Sequence, residues 1–261
     1  IIATRFRELP PEQYAHLGNY LNAGKPVVGL RTATHAFTGE ATFQNLKWSE
    51  FGLRILGEQW ISHHGRHKRE GTRGIIVEAN ATHPILNGVA DVFGPSDVYT
   101  VKSLTGAETM LLRGAVTETL DPSSKSVAGP KNEPLMALAW LQGYTAPNGT
   151  TKGQSFCTTM GASVDFVSED LRRLVVNAVY HLTGLAVPRK ANVTVVDPFY
   201  PTFYGFRRGG WQQFEMKPSV FSLGRSPAFP DPPATPVWNF RDRPAELRQA
   251  EAAPTTPKQK S

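Results

Sequence analysis

The sequence is poor in cysteine and lacks long apolar runs. Cys157 is the only cysteine among 261 residues, which excludes an internal disulfide framework and any cysteine-based zinc finger. No stretch of about 18 consecutive apolar residues is present, so the sequence predicts no transmembrane helix. The opening residues show no signal-peptide pattern, and a secreted or periplasmic location would require that such a signal has been removed. The sequence therefore indicates a soluble or peripheral protein and leaves its compartment open.

Acidic residues are outnumbered, but the positive excess is small and scattered. The 28 Lys and Arg residues exceed the 22 Asp and Glu residues and give a net charge of +6. Basic side chains cluster only around residues 63–69, and no stripe of alternating basic and aromatic residues is present. Since nucleic-acid-binding domains concentrate positive charge on one face, nucleic acid is not favoured as a partner. Hydrophobic residues make up 40% of the chain, enough to bury the core of one domain.

Helix and strand signals alternate over most of the chain. Pro10, Pro11 and Glu12 are typical of a helix start, and Gly24 is placed to end that helix. The apolar run at residues 26–30 then predicts a strand buried on both faces of a sheet. Further strands are predicted at residues 74–78, 98–101, 110–116, 136–141 and 154–159. This alternation predicts an α/β fold.

The clearest helix is predicted at residues 168–184. Ser168 is a typical N-cap, Gly184 is a typical end, and the apolar residues between them fall on one face. We therefore expect this helix to pack on the sheet. Residues 40–73 are polar and irregular, and they predict a long excursion from the sheet.

The composition changes after about residue 205. Proline recurs through residues 217–261, and such a segment cannot build a core and favours an extended, polyproline-like path. We therefore divide the chain into a domain at residues 1–205 and an extended Pro-rich tail at residues 206–261. An extended tail can run along a partner surface, so we expect residues 217–261 to bind a protein partner unless their own domain holds them.

The segment GKPVVGLRTATH at residues 24–35 has the layout of a strand, a tight turn and a helix start. It resembles the pattern around the catalytic cysteine of class I glutamine amidotransferases, with Arg31 at the position of that cysteine. Arginine is permanently charged and cannot serve as a nucleophile. The only thiol, Cys157, lies on a predicted interior strand, so the sequence argues against amidotransferase chemistry.

Further segments resemble one branch of that superfamily, the ThuA-like or trehalose-utilisation proteins. The resemblance covers about residues 1–205 and is carried, in order, by HPILNGV at residues 83–89, DVYTV at 97–101, EPLMALAW at 133–140 and the segment at 156–185. It implies a flavodoxin-like α/β sandwich, similar to class I glutamine amidotransferases but without the cysteine. It also implies a link to carbohydrate metabolism, with 3-keto-glycosides as candidate substrates.

The resemblance also bears on the start of the chain and on two positions of the site. A ThuA-like domain normally opens with a strand, a loop and a further βα pair before the segment that matches Ile1, so we expect this chain to lack the first βα elements. Family members often carry one histidine at the position of Arg31 and another at the position of Ala162.

Candidate ligand-binding residues follow the predicted strand at residues 26–30. Arg31, Thr32 and Thr34 offer hydrogen-bond donors to a sugar-like ligand, and His35 is the natural acid or base because its ordinary pKa is near neutrality. Asp165 is expected to orient one of them, since ligands bind beyond the carboxyl ends of strands in open α/β sheets. Structural roles stay open for the same residues: an ion pair or a helix cap for Arg31, and turn hydrogen bonds for the two threonines.

Aromatic and histidine side chains supply two further sets of candidates. The aromatic residues that could stack on a sugar ring, or serve only as core and loop anchors, are Trp48, Trp60, Tyr99 and Trp140. Neutral imidazoles of His63, His64 and His67 are potential metal ligands, but their spacing matches no closed zinc motif and the neighbouring basic residues repel a cation. We therefore predict no cofactor, with a divalent metal as the alternative to a solvated basic loop. His83 is expected to stabilise a turn.

Two functions from different classes remain open at this point. The first is an enzyme that performs general acid–base chemistry next to the carbonyl group of a sugar, with His35 as the proton carrier and Arg31 polarising an oxygen atom. The second is a catalytically silent accessory or scaffold subunit that binds a larger complex through its tail. The presence of Arg31 at the nucleophile position and of Ala162 in place of a histidine favours the second.

Overall fold

The computed structural model describes residues 1–205, 217–232 and 234–236. The chain separates into two compact units, Ile1–Val193 and Thr194–Ser261. The tail boundary predicted from composition, at residue 206, falls on residues outside the described ranges.

A six-stranded mixed sheet forms the centre of the first unit. Its strands are β1 (Val27–Leu30), β4 (Thr72–Ile76), β5 (Val92–Gly94), β6 (Thr109–Val116), β7 (Met136–Thr145) and β8 (Lys152–Thr158). Their order is β1-β8-β7-β6-β4-β5, in which β1 and β8 are parallel and every other pair is antiparallel. These directions bring the carboxyl ends of β1, β8, β6 and β5 to one edge of the sheet.

Two short features extend this framework. Ile2 forms an isolated parallel bridge with Gly29, so the opening residues lie along the free side of β1. A small hairpin of β2 (Thr42–Phe43) and β3 (Leu46–Lys47) lies within the predicted excursion at residues 40–73. The excursion also contains a short 3₁₀ turn, Trp48–Glu50, and a π-helical turn, Gly52–Leu56, and it ends where β4 begins.

Two helices pack on the sheet, and local sequence signals account for both. Helix α1 (Pro11–Asn22) begins with proline in its first turn, and Gly24 follows its end with a φ of 68°. Helix α2 (Glu169–Leu182) begins after Ser168, whose side chain accepts a hydrogen bond from the backbone N–H of Leu171. Among the described residues, no helix is long and apolar enough to cross a membrane.

Separate hydrophobic cores lie on the two faces of the sheet. Val28 and Phe156 pack in the core that contains the apolar face of α2, whereas Val27 and Cys157 pack in the core that contains α1. Neighbouring residues of one strand thus serve opposite faces, as the strand period of two requires. Cys157 is fully buried and is therefore a core residue, and burial also raises the pKa of its thiol.

The α/β class is therefore confirmed, while the sheet is more antiparallel than the flavodoxin-like expectation implied. The helices at 11–22 and 169–182 and the strands at 27–30, 109–116, 136–145 and 152–158 were predicted close to their observed bounds. The strand predicted at residues 98–101 is wrong, because only Tyr99 pairs there, in an isolated bridge with His63. Strand β5 was missed, since three residues give no periodic signal.

The described part of the second unit contains one short 3₁₀ turn, Pro218–Phe221, and otherwise no regular element. Asp231 accepts a hydrogen bond from the backbone N–H of Phe203 at 2.6 Å, and Asp197 accepts one from Gly224 at 2.9 Å. The protein partner expected for residues 217–261 stays a prediction, because much of that segment lies outside the described residues.

Candidate functional site

The turn after β1 has the strained geometry of an elbow. Arg31 follows Leu30 directly and has a φ of 41°, in the left-handed region that residues with a side chain rarely adopt. A short 3₁₀ turn, Arg31–His35, continues from it. The backbone N–H of Arg31 is held by the carbonyl oxygen of Met160, at 3.1 Å. The strand-and-elbow arrangement predicted from residues 24–35 is thus present, with a guanidinium at its apex.

The Arg31 guanidinium is buried and committed to internal contacts. It donates to the carbonyl oxygens of Asp97 at 3.0 Å and Thr159 at 3.1 Å, and to Oδ1 of Asp97 at 3.2 Å. The guanidinium carbon, Cζ, also lies 4.2 Å from the ring centre of Tyr99. Only 4% of Arg31 is exposed. The side chain therefore ties the segments that follow β1, β8 and β5 together, and it is not directed at a ligand.

Asp97 is the centre of the polar cluster, although the sequence did not single it out. Its fully buried carboxylate contacts Nδ1 of His63 at 2.5 Å and Nδ1 of His67 at 2.9 Å, besides Arg31. Burial alone would raise the pKa of Asp97. The hydrogen bonds to both histidines and the charge of Arg31 outweigh burial and hold that pKa well below its ordinary range. Asp97 is therefore a carboxylate at neutral pH.

Backbone contacts explain how the loop before β4 brings its histidines to Asp97. The N–H groups of His64 and Gly65 both donate to the carbonyl oxygen of Val98, at 2.8 and 3.1 Å. His63 and Tyr99 form an antiparallel bridge. Lys68 has a φ of 62°, and this tight reversal follows His67 directly. The loop is thus fixed against the segment that carries Asp97.

Aromatic rings surround the same cluster. The ring centre of His35 lies 4.9 Å from Phe6, 5.2 Å from Trp60 and 6.2 Å from Tyr99. Trp60 in turn lies 5.7 Å from His63. Within the described part of the chain, the buried Nε1 of Trp60 has no hydrogen-bond partner. Since a buried N–H is normally bonded, this donor is the clearest unmet interaction next to the cluster.

His35 is enclosed and uncharged at neutral pH. It is only 8% exposed, and Nδ1 lies 3.3 Å from the hydroxyl oxygen of Thr34. Burial is the largest cause that lowers the pKa of His35 to about 4, followed by the positive charges of Arg5 and Arg31. A neutral imidazole can accept a proton, but at this pKa it is a weak base.

The other predicted site residues occupy structural positions. Thr32 donates to the carbonyl oxygen of Ala3 at 2.8 Å, and Thr34 donates to that of Arg31 at 3.1 Å. The buried carboxylate of Asp165 accepts hydrogen bonds from the backbone and hydroxyl of Ser96 and from two backbone N–H groups, those of Gly161 and Ala162. Asp165 thus fastens two loops, and its oxygen atoms are occupied.

The three candidate metal-binding histidines separate in the structure. His64 turns away and contacts the carbonyl oxygen of Lys131 at 2.7 Å, whereas His63 and His67 converge on Asp97. One potential ligand atom from each of His63, His67 and Asp97 lies within 4.8 Å of the other two.

His83 accepts a hydrogen bond from the backbone N–H of Ile85, which confirms its predicted role in a turn.

The aromatic candidates also separate. Trp48 stacks on Tyr14 in the core on the α1 face, and Trp140 is fully buried with its N–H bonded to the carbonyl oxygen of Leu56. Only Trp60 and Tyr99 lie against the histidines. Asp97 lies in the DVYTV segment at residues 97–101, which carried the family resemblance and also contains Tyr99.

An apolar cavity of about 280 Å³ lies elsewhere in the first unit, between α1 and β1. Leu17, Val27, Phe37 and Phe51 are among its lining residues, and the hydroxyl of Tyr20 is bonded to the carbonyl oxygen of Pro26. The side chains that line this cavity are apolar apart from the Tyr20 hydroxyl, which is already bonded, so the polar cluster is the better candidate site.

Comparison with known proteins adds no assignment. A scan against protein-family models, a search of curated proteins and a search of solved structures each found no match to the chain. The ThuA-like resemblance therefore stays a prediction from the sequence.

Proposed function

We propose that the first unit is a ThuA-like enzyme domain that acts on a polyhydroxylated carbonyl compound, of which a 3-keto-glycoside is the favoured example. The proposed binding site is formed by His35, Trp60, His63 and Tyr99. The observation that carries this proposal is the Nε1 of Trp60, which lies beside a cluster of imidazoles and has no hydrogen-bond partner among the residues that the structure describes. A ligand hydroxyl or carbonyl oxygen would complete that bond.

The composition of the proposed site supports a carbohydrate rather than an apolar ligand. Trp60 offers a ring face for the C–H surface of a sugar, and the buried ring of Tyr99, which is covered by Arg31, lies 6.2 Å from it at 71°. His63 and His67 are each about one third exposed or more, so they can meet a ligand, while their Nδ1 atoms are held by Asp97. Apolar walls with a few fixed polar groups are typical of small-molecule sites.

The proposed chemistry is proton transfer at a carbon next to a carbonyl group. His35 is the proton acceptor in this scheme, because its lowered pKa keeps it in the neutral form at pH 7. The sequence assigned to Arg31 the role of polarising a ligand oxygen. Its guanidinium is bonded to Asp97 and to Thr159 instead, so Arg31 has no such role in this scheme. Arg31 instead fixes the carboxylate that orients His63 and His67.

Deuterium exchange tests this function without requiring that the final product be known. A 3-keto-glucoside is incubated in D₂O with the protein, and loss of the proton signals next to the carbonyl is followed by NMR. We expect exchange above the buffer rate for the wild type, a drop of at least tenfold for His35→Ala, and no change for His16→Ala. His16 is the matched control because it is an exposed histidine on α1. Equal rates in wild type and His35→Ala would remove His35 from the mechanism.

A second candidate is a catalytically silent accessory subunit, which the internal bonding of Arg31 favours. Arg31 occupies the nucleophile position, and its guanidinium holds loops together through Asp97 and Thr159. We expect such an arrangement in a domain that has kept its fold but lost its activity. This reading predicts no exchange with any keto-sugar, together with release from a protein complex when residues 217–261 are deleted. A deletion variant that still co-purifies with its partner would contradict it.

A further inference from the structure

We propose that His63, His67 and Asp97 form a binding site for a divalent transition-metal ion of the zinc type. The inference rests on the proposed function, because it adds a cofactor to the same site. It depends on three converging side chains, two imidazoles and one carboxylate, and this donor set is the one found in open catalytic zinc sites.

The distances between the three groups are close to those that a zinc site requires. Zinc–nitrogen and zinc–oxygen bonds of about 2.0–2.2 Å place neighbouring tetrahedral ligand atoms roughly 3.3–3.5 Å apart. Nδ1 of His63 and of His67 now lie 2.5 and 2.9 Å from the carboxylate oxygens of Asp97. The side chains of His63 and His67 are 35% and 40% exposed, so they can move away from Asp97 by this small distance without moving the core.

The carboxylate already has the support that metal ligands usually have. Arg31 donates to Oδ1 of Asp97, which leaves Oδ2 as the oxygen for the ion. The bridge between His63 and Tyr99 fixes the backbone on the histidine side. A ligand whose orientation is set by such outer hydrogen bonds loses little freedom when the metal binds.

The local charge balance determines which ion fits. The charges of Arg31 and Asp97 cancel, so the ligand atoms of the two imidazoles, and not a net negative charge, would have to hold an incoming cation. Two basic neighbours that would repel it, Arg66 and Lys131, are paired with Glu70 instead. Imidazole ligands bind zinc, nickel and copper well, whereas magnesium and calcium require oxygen ligands. The site should therefore select zinc over magnesium.

A metal here would supply the polarising group that the proposed site otherwise lacks. Three protein ligands would leave at least one coordination position for a ligand oxygen. An ion held by His63, His67 and Asp97 would polarise the carbonyl oxygen and stabilise the negative charge that develops on it when the neighbouring C–H proton passes to His35. With such stabilisation, a weak base such as His35 is sufficient.

Isothermal titration of metal-stripped protein tests the site with no sugar present. We expect one zinc ion per chain, no heat from magnesium, and an affinity for zinc that falls at least tenfold in both His63→Ala and His67→Ala. His64→Ala is the matched control, because it removes an adjacent imidazole that bonds to Lys131 instead of Asp97. Its affinity should stay within about twofold of wild type.

The remaining outcomes overturn the proposal. No zinc binding to the wild type would refute it, as would an equal loss in His64→Ala, or zinc binding that survives in the His63→Ala/His67→Ala double variant. Cobalt substitution provides a second readout, since a four- or five-coordinate site gives visible absorption bands that both single variants should lose. Because neither measurement involves a sugar, failure of the metal site and failure of the carbohydrate function are distinguishable.

Discussion

Arg31 and Asp97 join the two ends of the sheet. Arg31 follows β1, the first strand in the spatial order, and Asp97 follows β5, the last. The guanidinium nevertheless donates to both the carbonyl oxygen and the carboxylate of Asp97, at 3.0 and 3.2 Å. The sheet must therefore curl until the segments after its outer strands meet. The candidate site lies where they meet, so the same contact supports both the fold and the cluster.

Replacing Arg31 should test this dual role through stability. Arg31→Met leaves the Asp97 carboxylate buried without its cation, and breaking a buried pair in this way costs about 3–5 kcal/mol of unfolding free energy. Urea denaturation measures the change. Arg7→Met is the control, because the Arg7 side chain is exposed, and its cost should be below about 0.5 kcal/mol. A cost below about 1 kcal/mol for Arg31→Met would show that the contact does not support the fold.

Gly52 should be irreplaceable because of the elbow beside it. A Cβ atom at Gly52 would lie 2.1 Å from the carbonyl oxygen of Thr34 and 2.8 Å from that of Glu58. Both are backbone atoms, so the turn that carries His35 would have to shift. We expect Gly52→Ala to lower the unfolding free energy by about 3 kcal/mol.

The control for Gly52 is an open glycine in the same domain. At Gly143 in β7 the nearest atom to a new Cβ is 3.9 Å away, so Gly143→Ala should be tolerated within about 0.5 kcal/mol. Equal urea midpoints for the two variants would contradict the close approach at Gly52.

The buried neutral state of His35 should make stability depend on pH. Its pKa is about 4 in the folded protein, largely because burial disfavours the charged form, and about 6.5 in the unfolded chain. The unfolded state thus binds the proton more readily. The stabilisation is complete above pH 6.5 and is lost as the pH falls towards 4, a change of about 3 kcal/mol.

Chemical denaturation from pH 7.5 to pH 4.5, in the presence of a chelator, measures the slope of the unfolding free energy against pH. His35→Gln should be less stable than wild type at pH 7.5 but should lose less stability on acidification. His16→Gln, which changes an exposed histidine, should keep the wild-type slope. An unchanged slope in His35→Gln would mean that other groups carry the acid sensitivity.

Local signals in the sequence predicted most elements that frame the site. The proline start of α1, the Ser168 cap of α2 and the apolar run of β1 each depend on residues close in the chain, and all three elements formed where predicted. The elbow at Arg31 was recognisable for the same reason. Strand β5 was not predicted, because three residues are too few to show the alternation of apolar and polar residues that marks a strand.

The cluster itself could not be assembled from sequence spacing. Asp97 lies 66 residues from Arg31 and 34 from His63, and only the curl of the sheet brings them together. The sequence also grouped His64 with His63 and His67, because adjacency in the chain hides the direction in which a loop residue points. Asp165 looked available for a ligand, yet four hydrogen bonds from two loops use its oxygen atoms.

The most direct test of the proposed carbohydrate site is a binding titration that removes one hydrogen-bond donor. Trp60→Phe keeps an aromatic ring next to His35 and His63 but deletes Nε1, which has no partner in the described part of the chain. Trp48→Phe deletes an Nε1 that also has no partner among these residues, from a tryptophan stacked in the core. We expect the dissociation constant of a 3-keto-glucoside, measured by calorimetry, to rise about five- to tenfold in Trp60→Phe, the effect of one hydrogen bond, and to stay unchanged in Trp48→Phe. Equal affinities in wild type and Trp60→Phe, or no binding to the wild type, would contradict the proposed site.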